Sequence, residues 1–158
     1  MKIRIVCVGK MKEDYFLKAQ AEYAKRLSRF ASLEIIELAD ERTPDNPTEK
    51  QRQAVLKKEG ERVKKAVAGF DILSVLAIEG EQSSSEGFAQ KLGEKESRGK
   101  SVCYVIGGSL GLAEDVKQAA NERFSLSTLT FPHRLARIVL LEQLYRGFKI
   151  FHNENYHK

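Results

Sequence analysis

The sequence predicts an α/β fold built on a mainly parallel sheet. Three observations carry this reading. Short apolar runs alternate along the chain with longer segments of helical spacing. Two of the runs, residues 71–78 (DILSVLAI) and 101–106, are almost wholly apolar, the pattern of strands covered on both faces. The length, 158 residues, suits one domain spanning 1–158.

The elements follow in order. Residues 3–8 form a first apolar run that stops at Gly9. Residues 13–30 place Tyr15, Phe16, Ala19, Tyr23, Leu27 and Phe30 at helical spacing. Residues 33–38 read as a second strand, and 40–47, with two prolines, an Asn and two Asp, as a loop. Thr48 with Gln51 fits a capping box, opening a helix to about residue 68. A third strand covers 71–78. Ser83 with Glu86 gives a second capping-box match, opening a helix to about residue 96. A fourth strand covers 101–106, a helix 112–121 and a short last strand 124–129. Pro132 suits the first turn of a long helix reaching residue 148. Ligands of parallel sheets bind beyond the carboxyl ends of strands. Here those ends are Ile78-Glu79-Gly80, Ile106-Gly107-Gly108 and Ser127-Thr128.

Composition narrows the function. Apolar residues make up 42% and charged residues 31%, a globular balance. The net formal charge is only +5, but its placement is uneven. The stretch from His133 onward carries Arg134, Arg137, Arg146, Lys149 and Lys158 against Glu142 and Glu154, and holds all three histidines, His133, His152 and His157. Such an end suits an anionic partner such as nucleic acid, or is a solvated surface. Cys7 and Cys103 each sit in an apolar run and read as buried, reduced core residues. Neither a metal site nor a disulfide framework is indicated. No leader pattern and no membrane-length apolar run occurs, so a cytoplasmic location without membrane contact is expected.

Two nucleotide motifs fail. Gly99-Lys100-Ser101 resembles the end of a P-loop, yet the earlier glycine is displaced by one place and the segment precedes a strand rather than following it. No G-x-G-x-x-G follows the first strand. More informative is 106–111 (IGGSLG), three glycines between a strand and a helix, able to wrap a flat or anionic ligand or simply to make a tight turn. Residues 126–133 (LSTLTFPH) crowd hydroxyls into a short turn that could bond a purine ring or cap the next helix. That helix is apolar on most sides, as expected of one buried within the domain or against a partner subunit. Glu142 and Arg146, four apart, can form an ion pair on it.

Taken together, VIGGSLG, LSTLTFPHRLARIVLLEQLYRGFKI and the terminal NYHK resemble the ribosomal large-subunit pseudouridine N3-methyltransferase family, a small branch of the SPOUT methyltransferases. The likeness extends to the opening VGK and to Tyr23-Ala24-Lys25-Arg26, so it covers essentially the whole chain. It implies a parallel α/β fold with a C-terminal trefoil knot, a homodimer, and methyl transfer from S-adenosylmethionine to N3 of a pseudouridine. The target lies in a 23S rRNA hairpin loop near the decoding centre. It also implies cofactor contacts at Leu76, at Gly107, Gly108 and Gly111, and at Leu126, Ser127, Thr128, Leu129, Thr130 and Phe131. Leu129 stands where many relatives have Met, and Gly147 where Ala is usual.

A sulfonium methyl group is already activated, so alignment and removal of the N3 proton are what remain for the protein. His133, Tyr156, His157 or a water are candidate bases, with His157 or the terminal carboxylate region favoured. Arg137, Arg146 and Lys158 suit phosphate binding or anion stabilisation. So small a domain is expected to need a structured ribosomal substrate. Two rivals stay open: a non-catalytic rRNA-binding protein, and a related methyltransferase acting on transfer RNA.

Overall fold

The computed structural model describes residues 1–156. Its elements are β1 (Lys2–Val8), α1 (Asp14–Leu27), β2 (Ser32–Leu38), α2 (Glu49–Ala66), β3 (Ile72–Glu81), α3 (Ser85–Ser97), β4 (Val102–Ile106), α4 (Glu114–Ala119), β5 (Glu122–Phe124) and α5 (His133–Phe151). The five strands form one sheet of order β2-β1-β4-β3-β5, with every neighbouring pair parallel. The α/β parallel-sheet expectation therefore holds.

Strand periodicity sorts the core into two layers. Ile3 and Ile5 of β1, with Tyr104 and Ile106 of β4, pack under α1, α3 and α5, against Leu27, Leu92, Leu140, Leu144 and Phe148. Val6 and Val8, with Cys103 and Val105, face α2 and α4 through Val63 and Val116. β4 is buried at all five positions, as its apolar run anticipates. Leu140, Leu141, Leu144 and Phe148 are 0% exposed, so much of the apolar girth of α5 is covered within this chain, by α1, α3 and the sheet. Gly147, unusual in a helix interior, has a local reason. An added Cβ there would lie 3.1 Å from Leu92 Cδ2, and one at Gly93 would lie 2.0 Å from the Phe151 ring, so both glycines sit where α3 and α5 press together.

Several boundaries differ from the sequence reading. Thr48 and Gln51 do form the capping box of α2. The cap of α3 is Ser84 rather than Ser83: its hydroxyl accepts from Gly87 N–H at 3.1 Å, and glycine at that position cannot return a side-chain bond. β3 is two-sidedly buried only in its first half, and Ile78 is 52% exposed. α4 is a short helix, because Asn121 turns out of it to exchange bonds with Leu73 in both directions. β5 ends at Phe124 instead of running through residue 129. Serine side chains take up the backbone there: Ser125 Oγ donates to Ser127 O at 2.8 Å, and Leu129 N–H to Ser127 Oγ at 3.0 Å, so the segment turns instead of pairing.

Candidate active site

Three chain segments leave the carboxyl ends of the sheet together. β3 pairs with Phe124 at both Leu76 and Glu81, so the residues between bulge away from the ladder. The turn after β4 spans Gly107 to Leu112, and the loop after β5 runs from Ser125 to Pro132. Ser125 N–H donates to Glu81 O at 3.0 Å, tying the first and third segments. The three enclose a cleft of about 670 Å³, within the range of small-molecule sites.

Most of the cofactor residues implied by the family resemblance meet here. Leu76, Gly107, Gly108, Gly111, Leu126, Ser127, Leu129, Thr130 and Phe131 line the cleft, and His133 and Ala136 close it from the first turn of α5. Thr128 lies in the same loop but does not line it. The glycine turn is shaped by its own backbone: a Cβ on Gly107 would lie 2.5 Å from Gly111 O. Gly111 itself has φ +81°, the left-handed region. In the third segment the N–H groups of Leu126, Thr128, Thr130 and Phe131 donate to no group among the described residues. Open donors above apolar walls suit the edge of a flat heterocycle.

Charge at the cleft is sparse. Lys117 Nζ bonds Glu79 Oε1 at 2.6 Å beside the mouth and holds that carboxyl below its usual range. His133 is half-buried, and its Nε2 lies 3.4 Å from where a Gly9 Cβ would stand. Burial, then Arg134 and Arg137, lower its pKa, so at neutral pH the imidazole is uncharged and can accept a proton. The structure thus adds Gly9, Ser125 and the Lys117–Glu79 pair to the site. Of these, Gly9, as part of VGK, and Glu79, at the end of the third strand, left a sequence signal.

Arg137 corrects an expectation. It is 0% exposed and cannot reach a phosphate from this position. Its guanidinium contacts Gln20 Oε1 at 3.1 Å, Glu37 Oε1 at 3.2 Å and Gly9 O at 3.3 Å, so it ties α1, β2 and the end of β1 to α5. Cys7 lies beside this group, yet burial pushes its thiol up to about 11, which leaves it inert as a nucleophile.

Arg146 and Tyr156 lie elsewhere. Arg146 pairs with Glu142 at 2.6 Å and sits over the Tyr156 ring, 4.9 Å from its centre. The Tyr156 hydroxyl is 3.3 Å from Glu142 Oε1, and its ring meets Tyr145 edge-on at 4.8 Å. Glu142 is nine residues beyond His133 on α5, roughly 14 Å along the axis. Tyr156 is therefore not gathered into this chain's own cleft. His157 and Lys158 lie outside the described residues. No cluster of metal-ligating side chains and no helix long and apolar enough to cross a membrane occurs among the described residues.

Comparison with known proteins matches this geometry. Residues 1–157 match the family model described as "Predicted SPOUT methyltransferase". A Streptococcus thermophilus protein named ribosomal RNA large subunit methyltransferase H is 50% identical over 159 residues, covering 100% of both chains. A Leuconostoc mesenteroides protein of the same name is 47% identical over the same span. Among solved structures, a probable methylase family protein from Haemophilus influenzae shares the fold with a TM-score of 0.58 at 13% identity, covering 99% of this chain and 70% of that one. A probable methyltransferase from Bordetella pertussis gives 0.56 at 14% identity, covering 92% and 95%. The chain belongs to the SPOUT methyltransferases, in the family of ribosomal RNA large subunit methyltransferase H.

Proposed function

We propose that this chain, as a single SPOUT domain with a C-terminal trefoil knot, is an S-adenosylmethionine-dependent methyltransferase. Its target is N3 of a pseudouridine in the 23S rRNA hairpin loop near the decoding centre. It acts as a homodimer in the cytoplasm, on assembled ribosomal particles. The observation that carries this reading is the cleft made by three strand ends, in a chain about half identical over its full length to large-subunit rRNA methyltransferases.

The residues present fit the cofactor. Open backbone donors at 126–131 can hold an adenine edge, while Leu76 and Phe131 offer apolar walls. When bound, S-adenosylmethionine supplies a methyl group already activated on sulfonium. The glycine turn and the serine-braced loop fix that ligand's position, and close walls exclude water. The N3 proton must leave as the N–C bond forms. Uncharged His133, at the cleft edge, can accept it directly or through a water. The other route uses the C-terminal Tyr156-His157-Lys158. Because Tyr156 sits far along α5 from its own cleft, the tail is assigned to the cleft of the partner subunit. Exposed Ile78, Leu129 and Leu135, near the cleft and the first turns of α5, provide apolar surface for the dimer. Arg146 and Lys158 would then lie by the incoming RNA.

Mass mapping of rRNA from a strain lacking the gene tests this. Loss of one methyl group from a large-subunit pseudouridine, restored by the gene, is expected. An unchanged large-subunit map would overturn the assignment, and a methyl group lost from transfer RNA would move the substrate there. Absence of S-adenosylmethionine binding in calorimetry would leave only a non-catalytic RNA binder.

A further inference from the structure

A second concavity, of about 480 Å³, opens between α3 and the edge strand β5. Its floor is aromatic. Phe124 meets Tyr104 edge-on with centroids 5.8 Å apart and lies 6.4 Å from Phe88. Phe88 and Phe124 are only part-buried, so ring surface faces the opening. Tyr104, one of the groove's lining residues, is 1% exposed, and its buried hydroxyl has no hydrogen-bond partner among the described residues. Burial raises its pKa far above the ordinary phenol range, so it keeps its proton and is a fixed donor. A buried donor without an acceptor is rarely left so in a folded protein.

The rim is charged. Lys91, Lys95, Arg98, Lys100 and Arg123 surround the groove, against Glu81, Glu94 and Glu122. Lys91 and Lys95 are tied to Glu81 and Glu122 at 2.7 Å each. The Arg98 guanidinium is exposed and has no partner among the described residues, and Lys100 stands only 3.7 Å from Asp71. A flat aromatic floor, a buried donor and a cationic lip together match an unpaired nucleotide. An acidic peptide would use the lip but leave the floor and the donor unmatched. The groove also adjoins the cofactor cleft, because Phe124 directly precedes Ser125, the start of the third cleft segment.

Resting on the reading that the substrate is RNA, we infer that this groove is a second RNA contact, taking one unpaired nucleotide outside the methylated position. Its phosphate lies on Arg98 and Lys100, its base packs against Phe88 and Phe124, and a base or ribose oxygen accepts from the Tyr104 hydroxyl.

The test uses the full-length protein, Arg98→Glu and Tyr104→Phe. The first changes an exposed side chain, and the second removes only a hydroxyl. The probe is a fluorescently labelled unstructured heptauridylate, read by anisotropy across salt, beside calorimetry with S-adenosylmethionine and turnover on ribosomes. Arg98→Glu should weaken the oligonucleotide by at least about fivefold and lower the salt slope by about one. Tyr104→Phe should weaken it by about threefold. Both should raise KM for ribosomes with kcat and cofactor affinity unchanged. Oligonucleotide affinity and KM equal to wild type in both variants, with an active wild-type enzyme, would overturn the inference alone. A wild-type protein that transfers no methyl group to rRNA would overturn the substrate reading, and this inference with it.

Discussion

In the second turn of α5 a fully buried cation, Arg137, makes the polar contacts, whereas the ion pairs of the last turns are all part-exposed. Near the start, Arg137 has no exposed surface and binds three oxygens from three other segments. Near the end, Arg146 is paired with Glu142, while Lys149 and Arg29 both reach Glu154 at the surface. The two arrangements differ in what they resist. A buried cation must keep every partner or face an unmatched charge in the interior. Part-exposed pairs are worth little each and can be exchanged for other contacts. The cleft end of α5 is thus fixed by a buried network, whereas the tail end is held by part-exposed contacts that can be exchanged.

Removing Arg137 should break the first arrangement. Arg137→Met leaves the Gly9 carbonyl without a donor and Glu37 with only the Met11 N–H, and should lower stability by about 3 kcal/mol, read by urea denaturation. A loss below about 1 kcal/mol would mean the network is incidental. Truncation after Glu154 probes the other end. Methyl transfer to ribosomes should fall by about a hundredfold, the scale of losing a positioned acid–base group. The fold and the affinity for S-adenosylmethionine should stay nearly intact, since the contacts of Tyr156 are with Glu142, Tyr145 and Arg146 of α5 and Tyr23 of α1, none of which lines the cleft. Loss of cofactor binding in the same preparation would make the tail structural.

Gly107→Val sharpens the contrast within the cleft. The new side chain would collide with the Gly111 carbonyl and displace the turn, weakening the cofactor by at least about tenfold, or 1.4 kcal/mol. Calorimetry showing unchanged affinity in a folded variant would remove the glycine turn from the site. The smallest effect is expected at His133. Its pKa is lowered in the folded state from 6.5, so as pH falls below that value the unfolded chain takes up the proton first and stability declines. His133→Gln should flatten that decline by less than about 1 kcal/mol, given the screening at a half-exposed site. An identical pH profile of unfolding would show that His133 is not held uncharged by its surroundings.

Much of the fold was legible because its signals are local. The apolar runs of β1 and β4, the Thr48–Gln51 cap and the glycines after β4 need only near neighbours in the chain. What escaped depends on distant partners. Arg137 reads as one more cation in a basic stretch, and nothing nearby shows that it meets Glu37, 100 residues away, or Gly9, 128 away. The last strand reads as 124–129 because apolar residues at 126 and 129 look like a strand, while Ser125 and Ser127 turn the backbone by side-chain bonds and β5 ends at Phe124. The cleft itself could be anticipated from where strands end, but the separation of Tyr156 from it could not, since that depends on how the chain folds back along α5.

The central claim is that the two ends of α5 serve different subunits, and mixed dimers test it most directly. Gly107→Val protein keeps its tail but has a defective cofactor cleft; protein truncated after Glu154 keeps its cleft but lacks the tail. At a subsaturating cofactor concentration the first alone should be at least about tenfold slower on ribosomes than wild type, and the second about a hundredfold. Once subunits have exchanged, as verified by native mass spectrometry, the mixture should recover methyl transfer, because one heterodimer cleft then has both an intact cofactor turn and a tail from across the interface. Exchanged dimers no more active than either parent would contradict the claim and place the tail at its own subunit's cleft.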